Sequence, residues 1–189
     1  NISYGFQPDM VMHKMLGSTG GGYGVQLWDT TRGDDYYMYP SNTNASVTSG
    51  SDYLEFTSTG VKLDNNWDGL NHNGESYISF GWRANGGTTS TNTQGDTNST
   101  VQANQDGGFS IVEYAGTLTS SGTKTIGHGL SKAPEFIIIK NPNKTGRWFV
   151  QHTGLTSWNY YLSTNTLTGE TNSSGNGSMS APTSDVFYT

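Results

Sequence analysis

Pro8-Asp9-Met10-Val11-Met12-His13-Lys14 and Pro134-Glu135-Phe136-Ile137-Ile138-Ile139-Lys140 carry one pattern, proline, acid, four mostly apolar residues and lysine, 126 positions apart (134 minus 8). A fixed spacing between like segments fixes an architecture before any single element is assigned. The match extends in order on both sides. Upstream, Ile2-Ser3-Tyr4-Gly5-Phe6 answers Ile126-Gly127-His128-Gly129-Leu130. Downstream, Val25-Gln26-Leu27-Trp28-Asp29-Thr30 answers Trp148-Phe149-Val150-Gln151-His152-Thr153, and Tyr36-Tyr37-Met38 answers Tyr160-Tyr161-Leu162. Ser51-Asp52-Tyr53-Leu54-Glu55 resembles Ser184-Asp185-Val186-Phe187-Tyr188. The repeat is therefore about 125 residues long. The second copy has no counterpart of Tyr77-Ile78-Ser79-Phe80-Gly81-Trp82, and the first none of Gly107-Gly108-Phe109-Ser110-Ile111-Val112-Glu113-Tyr114. The expected organisation is the later part of one unit over residues 1–91 and the earlier part of a second, truncated unit over 92–189. The polar stretch from Asn85 to Asn98 forms the joint.

Strand signals fill both copies. Tyr53 to Phe56, Tyr77 to Trp82, Phe109 to Tyr114 and Trp148 to His152 alternate apolar and polar residues, which marks a strand with one buried face. Met10 to Met12 and Phe136 to Ile139 are continuous apolar runs and predict strands buried on both faces. Clusters such as Gly20-Gly21-Gly22 and Asn42-Thr43-Asn44 supply the turns. No segment sustains a helical period. Many short strands without helices predict an all-β fold, an antiparallel β-sandwich or jelly roll.

Composition narrows the function. Hydrophobic residues are 31% and charged residues 13%, yet Tyr 11 and Trp 5 give the short runs enough aromatic surface to build a core, so the chain is not of the disordered class. A net charge of -6 with scattered Lys and Arg leaves no basic stripe for phosphates, which argues against nucleic acid. No apolar run approaches the roughly 20 residues of a membrane-spanning helix, and no membrane insertion is expected. With Cys 0, stability must come from packing and from self-association.

Asp64-Asn65-Asn66-Trp67-Asp68-Gly69 followed by Glu75 fits the spacing of a calcium loop, with Asp64, Asn66, Asp68 and Glu75 as oxygen ligands. The flanking segments read as strands rather than the helices of an EF-hand, so an Asx-rich turn between strands is the plainer reading and calcium the sharper one. No other cofactor is indicated. The four histidines, His13, His72, His128 and His152, form no metal-ligand pattern. His13 shares its repeat position with Ile139 and reads as a core or edge residue, whereas His128, in Gly127-His128-Gly129, reads as a solvated turn residue. Adjacent Asp34 and Asp35 cannot flank one glycosidic bond, and neither a phosphate loop nor a nucleophile elbow is present. A non-enzymatic protein is expected. The candidate ligand-binding residues are aromatic: Trp67 and Trp158 in polar turns, with Tyr36 and Tyr37, offer flat rings to sugars. Trp82 and Trp148, in alternating strands, read as packing residues.

Gly108-Phe109-Ser110-Ile111-Val112-x-Tyr114-x-Gly116, followed by Ile126-Gly127-His128-Gly129-Leu130 and Pro134, resembles the signature of a tandem β-sandwich repeat, lectin or laminin-G-like, found in virion proteins of marine bacteriophages. The proline-acid-apolar-lysine segment and Gly74-x-x-Tyr77-Ile78-x-Phe80-x-Trp82 extend that resemblance over nearly the whole chain. It implies a structural part of a tail fibre, head fibre or similar appendage, located in the virion. It also implies self-association, other virion proteins as neighbours, and host surface polysaccharide as a contact. The alternative is a bacterial extracellular adhesin or carbohydrate-binding module at the cell surface.

Overall fold

The computed structural model describes residues 1–17, 23–49, 53–63, 67, 69–119, 122–173 and 180–189. The expected Gly20–Gly22 turn lies outside them. Among the described residues the fold is all-β, of sandwich type, with every pairing between named strands antiparallel, and the chain divides into two compact units: 1–87 with 141–146, and 88–140 with 147–189. The expected boundary near Asn92 compares with an observed division after Gly87.

In the first unit the strands are β1 (Ile2–Ser3), β2 (Met10–Met15), β3 (Gln26–Asp29), β4 (Tyr36–Met38), β5 (Val47–Thr48), β6 (Leu54–Thr57), β7 (Gly60–Leu63) and β8 (Tyr77–Trp82). They form a five-stranded sheet, β5-β4-β3-β2-β8, and a three-stranded sheet, β1-β7-β6. Side chains alternate between the faces of a strand, so one set from each sheet turns inward. Val11, Trp28 and Tyr37 from the larger sheet meet Leu54 and Val61 from the smaller, with Leu70 closing the cluster, and all are buried. This inter-sheet core is the sandwich. The opposite face of the larger sheet is also apolar: Phe80, Met12, Leu27 and Met38 lie side by side across four strands.

Asp9 locks the end of β8 to the start of β2. Its carboxylate is fully buried and accepts the N–H groups of Ala84 (2.7 Å), Gly86 (2.9 Å) and Gly87 (2.6 Å) and the hydroxyl of Thr30 (3.1 Å). Gly86 and Gly87 have φ of 62° and 77°, the left-handed backbone that lets successive N–H groups converge on one anion.

The second unit holds β9 (Ser90–Asn92), β10 (Ser99–Asn104), β11 (Phe109–Tyr114), β12 (Thr125–Gly127), β13 (Phe136–Ile139), β14 (Phe149–His152), β15 (Tyr160–Ser163), β16 (Thr171–Asn172) and β17 (Val186–Tyr188). The sheets are β11-β10-β9, β12-β17 and β13-β14-β15-β16. Its ladders repeat those of the first unit pair by pair. Val11 faces Trp28 as Ile137 faces Gln151; Trp28 faces Tyr37, and Val150 faces Leu162 as Leu27 faces Met38. Tyr37 faces Val47 as Tyr161 faces Thr171. Ile2 faces Val61 as Ile126 faces Phe187, so β17 stands where β7 stands. The pairing thus equates Val186–Tyr188 with β7, whereas sequence likeness alone sets it beside Tyr53-Leu54-Glu55 of β6.

Two expectations change. β13 is not buried on both faces: Phe136 is 55% and Ile138 37% exposed, because among the described residues β13 pairs only with β14. His128 is not solvated. It is 2% exposed, its Nδ1 accepts the Leu130 N–H (3.1 Å), and its Nε2 donates to the Thr183 carbonyl (3.2 Å). A short turn with both ring nitrogens served by backbone can be internal, which composition does not reveal.

Candidate functional site

Trp67, Gly69 and Leu70 lie against the inner face of the large sheet and are tied down there. The carbonyl of Trp67 accepts the N–H groups of Leu70 and Asn71, both at 2.9 Å. Gln26 Nε2 donates to the Gly69 carbonyl (3.2 Å), and the His13 ring contacts the Leu70 carbonyl through Nε2 (3.1 Å). Residue 69 must be small, since a Cβ there would stand 2.5 Å from Gln26 Nε2 and 3.1 Å from the Trp67 ring.

Around this turn four rings meet. Trp67 stacks on Tyr53 (5.1 Å between centroids, 25°), lies edge-on to Tyr23 (5.6 Å, 72°) and is tilted against Tyr37 (5.6 Å, 51°). Tyr37 stacks in turn on Trp28 (4.7 Å, 28°) and meets Tyr39 edge-on (5.3 Å, 85°). Offset and edge-on pairs are the favoured arrangements of aromatic quadrupoles. Burial, with Tyr39 beside it, holds the Tyr37 hydroxyl far above the ordinary tyrosine range. Tyr37 is 6% exposed and therefore core, leaving Trp67, Tyr23 and Tyr53 as the half-buried rings at the margin.

The four candidate ligand-binding residues do not share one site. Trp67 and Tyr37 come together; Tyr36, 41% exposed, lies on the opposite face of β4 from its neighbour Tyr37. Trp158 belongs to the second unit, where its carbonyl accepts Gln151 Nε2 (2.9 Å). Of the calcium-loop residues, Asp64, Asn66 and Asp68 lie outside the described residues. Glu75 is placed with its N–H on the His72 carbonyl (3.2 Å). Among the described residues no group of three or more His, Asp or Glu is arranged to hold a metal.

Beneath the turn the sheet carries polar groups in an apolar setting. His13 and Gln26 are cross-strand partners, 1% and 0% exposed, and Trp28 is fully buried. Among the described residues His13 Nδ1, Gln26 Oε1 and Trp28 Nε1 have no hydrogen-bond partner. Burial lowers the His13 pKa, the Leu70 carbonyl opposing it, so the neutral ring stacked on Tyr77 (5.1 Å) is the favoured form. Sequence reasoning passed over Asp9, Gln26 and Tyr53. Only Asp9 had a signal, the acid that recurs after proline at Glu135.

No curated protein and no solved structure gives a match to this chain. A family model does match, over residues 1–189 and so across both units, and the chain belongs to that family, a domain of unknown function designated DUF7483.

Proposed function

We propose that the chain is a non-enzymatic structural component of a bacteriophage particle, part of a tail fibre, head fibre or similar appendage, that self-associates and contacts host surface glycans. The observation that carries this reading is the recurrence of an apolar row on the outer sheet face of both units. Phe80, Met12, Leu27 and Met38 form it in the first, and Ile138, Val150 and Leu162 in the second. Phe80 is 51% exposed and Ile138 and Leu162 are 37%, whereas Leu27, Met38 and Val150 of the same rows are buried, so the open apolar surface lies at Phe80 in the first unit and at Ile138 and Leu162 in the second. Exposed apolar residues at matching positions of both units suit contacts between copies, since each unit then offers the same patch. The resemblance to phage virion repeats supplies the particle.

The Trp67 cluster favours a second reading, a bacterial extracellular adhesin or carbohydrate-binding module, because its marginal rings offer faces to a sugar. Native mass spectrometry separates the two. The first reading predicts whole multiples of the 20.4 kDa chain that dissociate when Phe80 and Ile138 are both replaced by Asp. A monomer that binds an oligosaccharide through Trp67 would favour the second, and a monomer that binds none would contradict both.

A further inference from the structure

We infer that Asn73 is a site of spontaneous modification: the backbone nitrogen of Gly74 attacks its carboxamide, and the residue converts to aspartate and isoaspartate. The reaction makes three demands on the fold. The side chain must reach the next backbone nitrogen, that nitrogen must be free to lose its proton, and the following residue must not block the approach. Glycine meets the last demand because it has no Cβ. Among the described residues Asn73-Gly74, Asn85-Gly86 and Asp106-Gly107 set a short carbonyl side chain before a glycine. Asp68 and Asn176, which also precede glycines, lie outside them.

Exposure does not separate the three, since Asn73, Asn85 and Asp106 are all exposed. The glycine N–H does. Gly86 donates to the fully buried Asp9 carboxylate at 2.9 Å, and Gly107 donates to Asn104 Oδ1 at 2.8 Å. Each of these nitrogens must first give up a hydrogen bond, in one case to a charged acceptor, before it can attack. Gly74 is not tied in this way: among the described residues neither its N–H nor the Asn73 carboxamide is hydrogen-bonded. Gly74 has φ of 91° in the turn His72–Glu75, which the Glu75 N–H closes on the His72 carbonyl (3.2 Å). A Cβ on Gly74 would meet nothing within 4 Å, so there is room for the side chain to swing onto the nitrogen.

The bonds balance with water as the one co-reactant. Gly74 N forms a bond to Asn73 Cγ, the Cγ–Nδ2 bond breaks, and ammonia leaves with the proton that the backbone nitrogen gave up. The five-membered imide then takes up one water. Breaking the new N–Cγ bond gives aspartate, and breaking the original peptide bond gives isoaspartate, with the main chain running through Cγ. Either product lowers the net charge of -6 by one and places a carboxylate two residues from Glu75, where the chain enters β8. A chain that stays assembled for long periods therefore gathers charge at this turn. The inference does not depend on the proposed role.

The test is incubation of the whole chain at mildly alkaline pH, followed by proteolysis and peptide mass mapping. The Asn73 peptide is expected to gain about 1 Da and to split into aspartyl and isoaspartyl forms. The Asn85 peptide should change at least about tenfold more slowly, because its glycine N–H is held. In denaturant, where that hold is released, the two asparagines should convert at comparable rates. Asn73→Gln, whose longer side chain does not form the five-membered ring, should remove the change. Asp9→Ala should bring the Asn85 rate toward that of Asn73, and if this variant does not fold, the denatured chain makes the same comparison. Equal rates at Asn73 and Asn85 in the native chain would overturn the inference. So would an Asn73 that converts in denaturant but not in the native chain, or an Asn85 rate left unchanged in a folded Asp9→Ala chain.

Discussion

β13 of the second unit reads Phe-Ile-Ile-Ile and is more apolar than Met-Val-Met-His at the equivalent positions of β2, yet it is the more exposed strand. Burial here follows from neighbours and not from side-chain identity. β2 is flanked by β3 and β8, so its inward residues are sealed and a histidine can sit among them. Among the described residues β13 is flanked by β14 alone, and three isoleucines and a phenylalanine stay partly in contact with water. Aligning the two units shows how much one strand contributes to an otherwise identical ladder.

The comparison can be broken at several points. The largest effect is expected at Asp9, which fixes β8 to the unit through three backbone N–H groups and a hydroxyl. Asp9→Ala should destabilise the first unit by about 3 kcal/mol or more, since buried donors lose a charged acceptor, while Asp9→Asn should cost less. Chemical denaturation followed through Trp28 and Trp67 fluorescence measures it. A change below about 1 kcal/mol would show that β8 is held by its ladder alone.

Next come the equivalent core positions. Val11→Ala should cost about 2 kcal/mol, and Ile137→Ala, although it removes more atoms, about 1 kcal/mol, because Ile137 is only half-buried. Urea midpoints for the two variants test the ordering, and the reverse order would mean that β13 is covered in solution.

A smaller effect belongs to the histidines. Burial lowers the pKa of both His13 and His128 below the unfolded value of 6.5. The unfolded chain therefore takes up protons first, and the stability these rings contribute is complete above pH 6.5 and is lost as pH falls from there toward the folded values. His13→Ile, which installs the residue found at position 139, should flatten the acid limb for the first unit and leave that of the second to His128. Thermal melts between pH 7 and pH 5 report this, and an unchanged slope would remove His13 from the account. The smallest effect is at Tyr36, on the outer face and 41% exposed, where Tyr36→Ala should shift stability by less than about 0.5 kcal/mol.

Much of the fold was legible. The proline-acid-apolar-lysine repeat, the alternation of Tyr77 to Trp82 and the Gly and Asn turns led to an all-β sandwich, because period and turn chemistry are local properties. The placement of β17 was not, since Tyr53-Leu54-Glu55 and Val186-Phe187-Tyr188 look alike but only pairing to β12 fixes the strand. His128 was misread because a Gly-His-Gly turn has the composition of a surface loop, and the backbone carbonyl that buries it comes from Thr183, far along the chain. Trp67 could be singled out by its polar flanks, but its cluster with Tyr23, Tyr37 and Tyr53 depends on tertiary proximity that no spacing encodes.

The most direct measurement on the paired units is residue-resolved amide exchange of the unliganded chain at micromolar concentration, comparing Met10–Met15 with Phe136–Ile139. The account predicts slow exchange along Met10–His13, which pair with both β3 and β8, and alternating slow and fast amides along β13, which among the described residues pairs with β14 alone. Uniformly slow exchange along β13 would contradict it, showing that the second unit is closed by a strand in the same way as the first.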